Sequence, residues 1–146
     1  MKVKEIMTAE PATIAPDATL GEVATLMRQE DCGSLPVVEN GRLVGIVTDR
    51  DIVIRAVAAG KDPRTTRVSV VMSADPVTVK PEDLVQEAER VMGERQIRRV
   101  PVVEDGKLVG ILVTAQLARA ESSRRTGETI KEISEPASGR ASHARG

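Results

Sequence analysis

"PVVENGRLVGI" (Pro36–Ile46) and "PVVEDGKLVGI" (Pro101–Ile111) are one pattern written twice, 65 positions apart. In each, an apolar run meets Asn-Gly or Asp-Gly and a second apolar run follows. Both central residues of a tight two-residue turn need positive φ, and these pairs tolerate it best. Each copy therefore predicts a β-hairpin, turning at Asn40-Gly41 and at Asp105-Gly106.

The register extends outward from the hairpins without a gap. Met7 falls on Met72, Pro11 on Pro76, Thr13 on Thr78, Pro16 on Pro81 and Met27 on Met92. A repeat is therefore the organising feature of the chain. "ATI" and "VTV", each held between prolines, predict short extended segments. A helix comes after each. Thr19 with Glu22 three residues on forms a capping box, and Asp83 with Gln86 offers a cap in the second copy. Leu20, Val23, Ala24 and Met27 share one helical face, as do Val85, Ala88 and Met92. After the hairpin a closing helix is expected over about Thr48 to Ala59, and again from Thr114. Each unit thus reads strand, helix, hairpin, helix: an α/β (α+β) chain of two β-α-β-β-α repeats. Neither unit can bury its apolar sheet face alone, so the two are expected to pack sheet to sheet about a pseudo-two-fold axis.

Residues 1–60 are assigned to the first repeat and 61–120 to a polar linker and the second. Residues 121–146 are polar, rich in Ser, Gly, Arg and Glu, and are expected to form a disordered tail.

Composition narrows the function. The 146 residues carry a net charge of -1 and no Phe, Tyr or Trp. The core must be aliphatic, and a flat ligand must be gripped by aliphatic side chains and backbone. Near-zero charge argues against non-specific nucleic-acid binding. The single cysteine, Cys32, excludes an intrachain disulfide and fits a reducing compartment. No apolar run approaches the ~18 residues of a membrane span, and the N-terminus lacks a signal-peptide core. A cytoplasmic protein is expected. Catalysis finds no support: the one histidine, His143, lies in the tail, and no His/Cys cluster, Ser-His or Cys-His pair, or Walker-type glycine loop is present.

The duplicated pattern, carried by "MTAEPATIAPDATLGEV", "GSLPVVENGRLVGIVTDRDI", "MSADPVTVKPEDLVQEA" and "IRRVPVVEDGKLVGIL", resembles a tandem pair of cystathionine β-synthase (CBS) domains, or Bateman module, over roughly residues 1–120. "TDRDIVIRAVAAGKDP" and the chain length are similar to small bacterial CBS-pair proteins. The resemblance implies two clefts between the repeats, a homodimer, and an adenosine-containing ligand. AMP, ADP or ATP leads, with S-adenosylmethionine or NAD as alternatives. No cofactor or metal is implied.

The first cleft would take Thr48, Arg50 and Asp51 from the first copy. An ionised Asp51 can accept from both ribose hydroxyls, and Thr48 opens a helix whose free N–H groups favour phosphate. The opposite wall would come from Met72, Asp75, Val77 and Ile97, with Arg98 and Arg99 supplying charge for phosphates. The second cleft would set Val113, Ala115 and Gln116 against Met7, Ala12, Cys32 and Gly33. There the hydroxyl and the carboxylate are lost, and Gly33 and Ser34 stand where the other copy has two arginines, so one ligand per chain is expected. Thr48-x-x-Asp51 is equally a plain helix start. The leading reading is a sensor whose output passes through an effector protein. The alternative is a ligand-free dimeric stress or scaffold protein with relic clefts.

Overall fold

The computed structural model describes residues 1–126. The chain opens with a 3-10 turn, Val3–Glu5, and strand β1, Thr8–Ala9. Helix α1 spans Leu20–Glu30, then β2 Ser34–Glu39 and β3 Arg42–Thr48 form the hairpin. Helix α2, Asp49–Ile52, runs on as a π-helical turn, Val53–Val57. The second half repeats this order: a 3-10 turn Val68–Val70, β4 Ser73–Ala74, α3 Val85–Arg95, β5 Arg99–Glu104, β6 Lys107–Val113 and α4 Thr114–Thr126. Helix α4 enters the segment expected to be a disordered tail, and residues 127–146 of that segment lie outside the described residues.

Both hairpins turn where the sequence places them. Asn40 and Gly41 have φ of 54° and 80°, and Asp105 and Gly106 repeat those values. Each hairpin carries the same irregularity, between Val37 and Val38 and between Val102 and Val103. The "ATI" and "VTV" segments each make a single parallel bridge, Ile14 to Val37 and Val79 to Val102. The flanking prolines lack the N–H donors that would extend a ladder. Thr19 and Glu22 close the capping box of α1 in both directions. Asp83 does not cap α3. Its Oδ2 accepts from Lys80 N at 2.9 Å and closes the preceding turn, leaving Leu84 at the cap position.

The strands exchange partners between repeats. β1, from the first copy, pairs antiparallel with β6 of the second, Thr8 opposite Ile111. β4, from the second copy, pairs with β3 of the first, Ser73 opposite Ile46. The same crossing sorts the cores. Val3 is buried with Val85, Ala88, Met92, Val100 and Leu112. Its counterpart Val68 is buried with Leu20, Val23, Leu35 and Val47. Backbone bonds tie the crossing segments down at equivalent places: Val3 N to Asp83 O and Val68 N to Ala18 O, both 2.8 Å. The half-sheets β2-β3-β4 and β5-β6-β1 join at the hairpin tips, where Leu43 N donates to Gly106 O and Leu108 N to Gly41 O. These two bonds are equivalent under the repeat, so the pseudo-two-fold axis passes between them. The expected symmetry is present, and the halves are hydrogen-bonded into one six-stranded sheet.

The N-terminal crossing has an electrostatic clasp. Lys2 Nζ and Lys4 Nζ each reach a carboxylate oxygen of Glu82, at 2.7 and 2.8 Å. The hydrogen bond from Lys2, then that from Lys4, lowers the Glu82 carboxyl from 4.5 to about 2. A depressed carboxyl contributes stability that is fully present above its unfolded value and is lost as pH falls through its folded value. An NMR titration of Glu82 should therefore find a midpoint near 2, and one at an ordinary carboxyl value would show the clasp open in solution. Burial of Val3 is the stronger element. Val3→Ala removes two fully buried methyl groups and should destabilise the whole chain by about 2 kcal/mol. A denaturant midpoint that does not move would mean that the N-terminal segment does not hold the second core together.

Candidate functional site

Each closing helix starts at the end of a central strand, where the crossing segment of the other copy runs alongside. In the first copy that start is a complete capping box. Asp51 N donates to Thr48 Oγ1 at 3.0 Å, and Thr48 N donates to Asp51 Oδ2 at 2.9 Å. One carboxylate oxygen therefore serves the helix. The other, Oδ1, lies 3.9 Å from Arg55 Nε, and only 14% of the Asp51 side chain is exposed. Arg55 reaches further: its Nη1 donates to Val71 O at 2.9 Å and to Met72 O at 3.4 Å. Asp51, Arg55 and the segment entering β4 thus form one chain of contacts. Arg55 is not among the residues that the sequence singles out. Its i,i+4 spacing from Asp51 is the signal that could have found it, and its counterpart in the second copy is Ala120.

In the second copy the start is half a box. Val113 N donates to Gln116 Oε1 at 2.9 Å, and Val113 has no hydroxyl with which to answer. The amide nitrogen Gln116 Nε2 donates to Thr8 Oγ1 at 2.7 Å, across the boundary between repeats. Gln116 is thus held at both ends of its amide. Beside it opens a cavity of about 300 Å³. Ala12 and Cys32 from the first repeat and Val113 and Gln116 from the second line it, four of the seven residues expected there, and Ser34 joins them. Met7 packs instead beneath Gly110, and Gly33 is turned toward the Asp49 carboxylate. Ala115 is not among the lining residues.

Thr48 and Asp51 stand together, and β4 runs antiparallel to β3 with Met72 and Asp75 flanking its two ends. Met72 packs against the first core, whereas Val77 and Ile97 pack against the second. Asp75 is exposed in the left-handed region, with φ of 52°. Arg50 is exposed. Arg98 is exposed and its carbonyl accepts from Thr114 N. Arg99 lines the Gln116 cavity. The reason is register: Arg99 pairs with Val113, so the residue before "VPVV" lies beside the helix start of its own copy, as Ser34 lies opposite Thr48.

A further cavity, of about 340 Å³, lies between the end of α1 and the start of α2, over Ala24, Met27, Cys32, Gly33 and Ile52. Among the described residues no group of three or more His, Cys, Asp or Glu could hold a metal ion. No helix among them is long and apolar enough to cross a membrane.

The sequence matches the CBS domain family model twice, over residues 3–57 and 68–123. It is 42% identical over 133 residues to the CBS domain-containing protein YhcV of Bacillus subtilis, covering 90% of this chain and 94% of that one. It is 37% identical over 134 residues to hypoxic response protein 1 of Mycobacterium tuberculosis, covering 91% and 94%. The fold matches the crystal structure of Hypoxic Response Protein I with two coordinated zinc ions, at a TM-score of 0.76 and 39% identity, covering 82% of this chain and 98% of that one. It also matches the crystal structure of CBSX2 in complex with AMP, at 0.75 and 26%, covering 85% and 98%. Two matched domains, a shared internal register and partner exchange between the halves place this chain in the CBS domain family, as a tandem pair.

Proposed function

We propose that this CBS pair is a non-catalytic regulatory module that binds an adenosine-containing nucleotide, AMP, ADP or ATP, in the cleft carrying Thr48 and Asp51. The supporting observation is the Asp51 carboxylate. Oδ2 is occupied by the helix start, but Oδ1 has only a long contact to Arg55. That oxygen is available to ribose hydroxyls, and bonds to an ionised acceptor are the stronger kind. CBSX2, a relative of matching fold, is crystallised with AMP. Met72 and Asp75 flank β4 where it pairs with β3, and Val77 and Ile97, half-buried against the second core, would offer aliphatic surface for a purine.

The module works in the cytoplasm and as a homodimer. On the π-helical turn of α2, Val53, Ile54 and Val57 are 53%, 53% and 65% exposed, an apolar strip that a second copy would cover. A ligand shifts such a module only by its differential affinity for two states, and the output goes to an effector protein. One observation favours the ligand-free scaffold instead: the capping box and Arg55 already give both Asp51 oxygens a neighbour.

One experiment separates the two readings. The chain has no Trp or Tyr, so adenine absorption near 260 nm stands clear of the protein. Equilibrium dialysis against AMP, ADP, ATP, S-adenosylmethionine and NAD should show an excess approaching one adenine per chain. Asp51→Ala should weaken it about ten- to a hundredfold, the worth of a lost charge-assisted bond, and Gln116→Ala should leave it unchanged. No excess with any compound would favour the scaffold. Thr48→Val, which imports the second copy's residue, should cost about 1 kcal/mol of stability through the lost cap. An unchanged denaturant midpoint would mean that the Asp51 half of the box suffices.

A further inference from the structure

We propose that the second cleft is a binding site for a phosphate-class oxyanion, built around Arg99. Four observations carry it. Its cavity of about 300 Å³ is lined by two guanidinium groups, Arg99 and Arg119, both half-buried. Glu30 and Asp31 also line it, and both are exposed to solvent, where water screens them. Arg99 Nε is buried with no hydrogen-bond partner. A buried charged donor without an acceptor is costly, and an oxyanion is the acceptor that a guanidinium fits best. Finally, Thr8 Oγ1 accepts from Gln116 Nε2. The Thr8 hydroxyl hydrogen is thereby left to donate to a ligand.

The same cleft is poorly made for a nucleoside. Gln116 replaces the acid that would accept two ribose hydroxyls, and its amide is engaged at both ends. Val113 offers no hydroxyl. Divergence of this copy exchanges diol recognition for anion recognition. The inference does not depend on what the Asp51 cleft holds.

Calorimetric titration of the full chain with sodium pyrophosphate, at ionic strength held constant with sodium chloride, tests it. One site per chain is expected. Arg99→Gln should weaken binding by about tenfold or more, and Arg99→Lys, which keeps the charge but loses the planar fork, should fall between. Asp51→Ala should bind pyrophosphate as the unaltered chain does, even where it has lost nucleotide. No binding beyond the chloride control, or equal affinity for Arg99→Gln, overturns the proposal. If circular dichroism shows Arg99→Gln unfolded, Arg119→Gln takes its place, and unchanged affinity there overturns it equally. Excess pyrophosphate then identifies the source of the anion. Competition with ATP but not adenosine means a nucleotide's own phosphates reach Arg99, and competition with neither means a free oxyanion. Competition with adenosine places pyrophosphate in the Asp51 cleft and overturns the assignment.

Discussion

Two strands of two residues each hold this molecule together. β1 and β4 cross to the opposite repeat and lie against the middle of its central strand. The approach is close. A Cβ on Gly45 would fall 2.9 Å from Ser73 O and 2.7 Å from Met72 Sδ, and one on Gly110 would meet Thr8 O and Met7 Sδ as tightly. Backbone cannot yield as a flexible side chain can, so only glycine admits the crossing strand. That contact dictates the sorting of the cores, the burial of Val3 and Val68 in the opposite halves, and the cross-repeat lining of the Gln116 cavity. The repeats are thus not two domains laid side by side. Neither core is complete without a segment supplied by the other copy.

The two helix starts show how a duplicated site diverges without loss of fold. Thr48 and Asp51 make two reciprocal bonds, whereas Val113 and Gln116 make one. Both satisfy the orphan backbone N–H at the end of the central strand, which is the minimum that the fold requires. Beyond that minimum each copy is free. The first retains a carboxylate and adds Arg55, bonded to the carbonyls of the entering β4 segment. The second has Ala120 at that place and uses Gln116 to hold Thr8, so its cross-repeat link comes from the cleft residue itself. Each helix start is therefore tied to the crossing strand beside it, through a cation on one side and an amide on the other.

Charge obeys the same division. Ser34 and Arg99 are equivalent positions, and both line the Gln116 cavity. The residue preceding "LPVV" or "VPVV" lies beside the helix start of its own copy. Arginine in place of serine at one of these two positions therefore gives that cavity a guanidinium. The cavity that the arginine lines lacks the acid, because Gln116 stands there where the first copy has Asp51.

The repeat, both hairpin turns, the capping box at Thr19 and the helix starts at Thr48 and Thr114 are legible in the linear chain. Each of these is a local matter of dihedral tolerance or of hydrogen bonds within a few residues. The sequence also brought Val113, Gln116, Ala12 and Cys32 to one cleft, because the family resemblance carries the pairing of copies. The rest depends on contacts between segments distant in the chain. Asp83 serves a turn and not a helix, since its carboxylate finds Lys80 N first. The proline-bounded segments make single bridges, since their neighbours lack donors. Arg55 and the orphaned Arg99 Nε emerge only when strands distant in sequence are brought alongside. Partner exchange between β1 and β4 is likewise invisible in one dimension. Two near-identical patterns fit either hairpin equally well, and the choice between them is made by the packing of Val3 and Val68 in three dimensions.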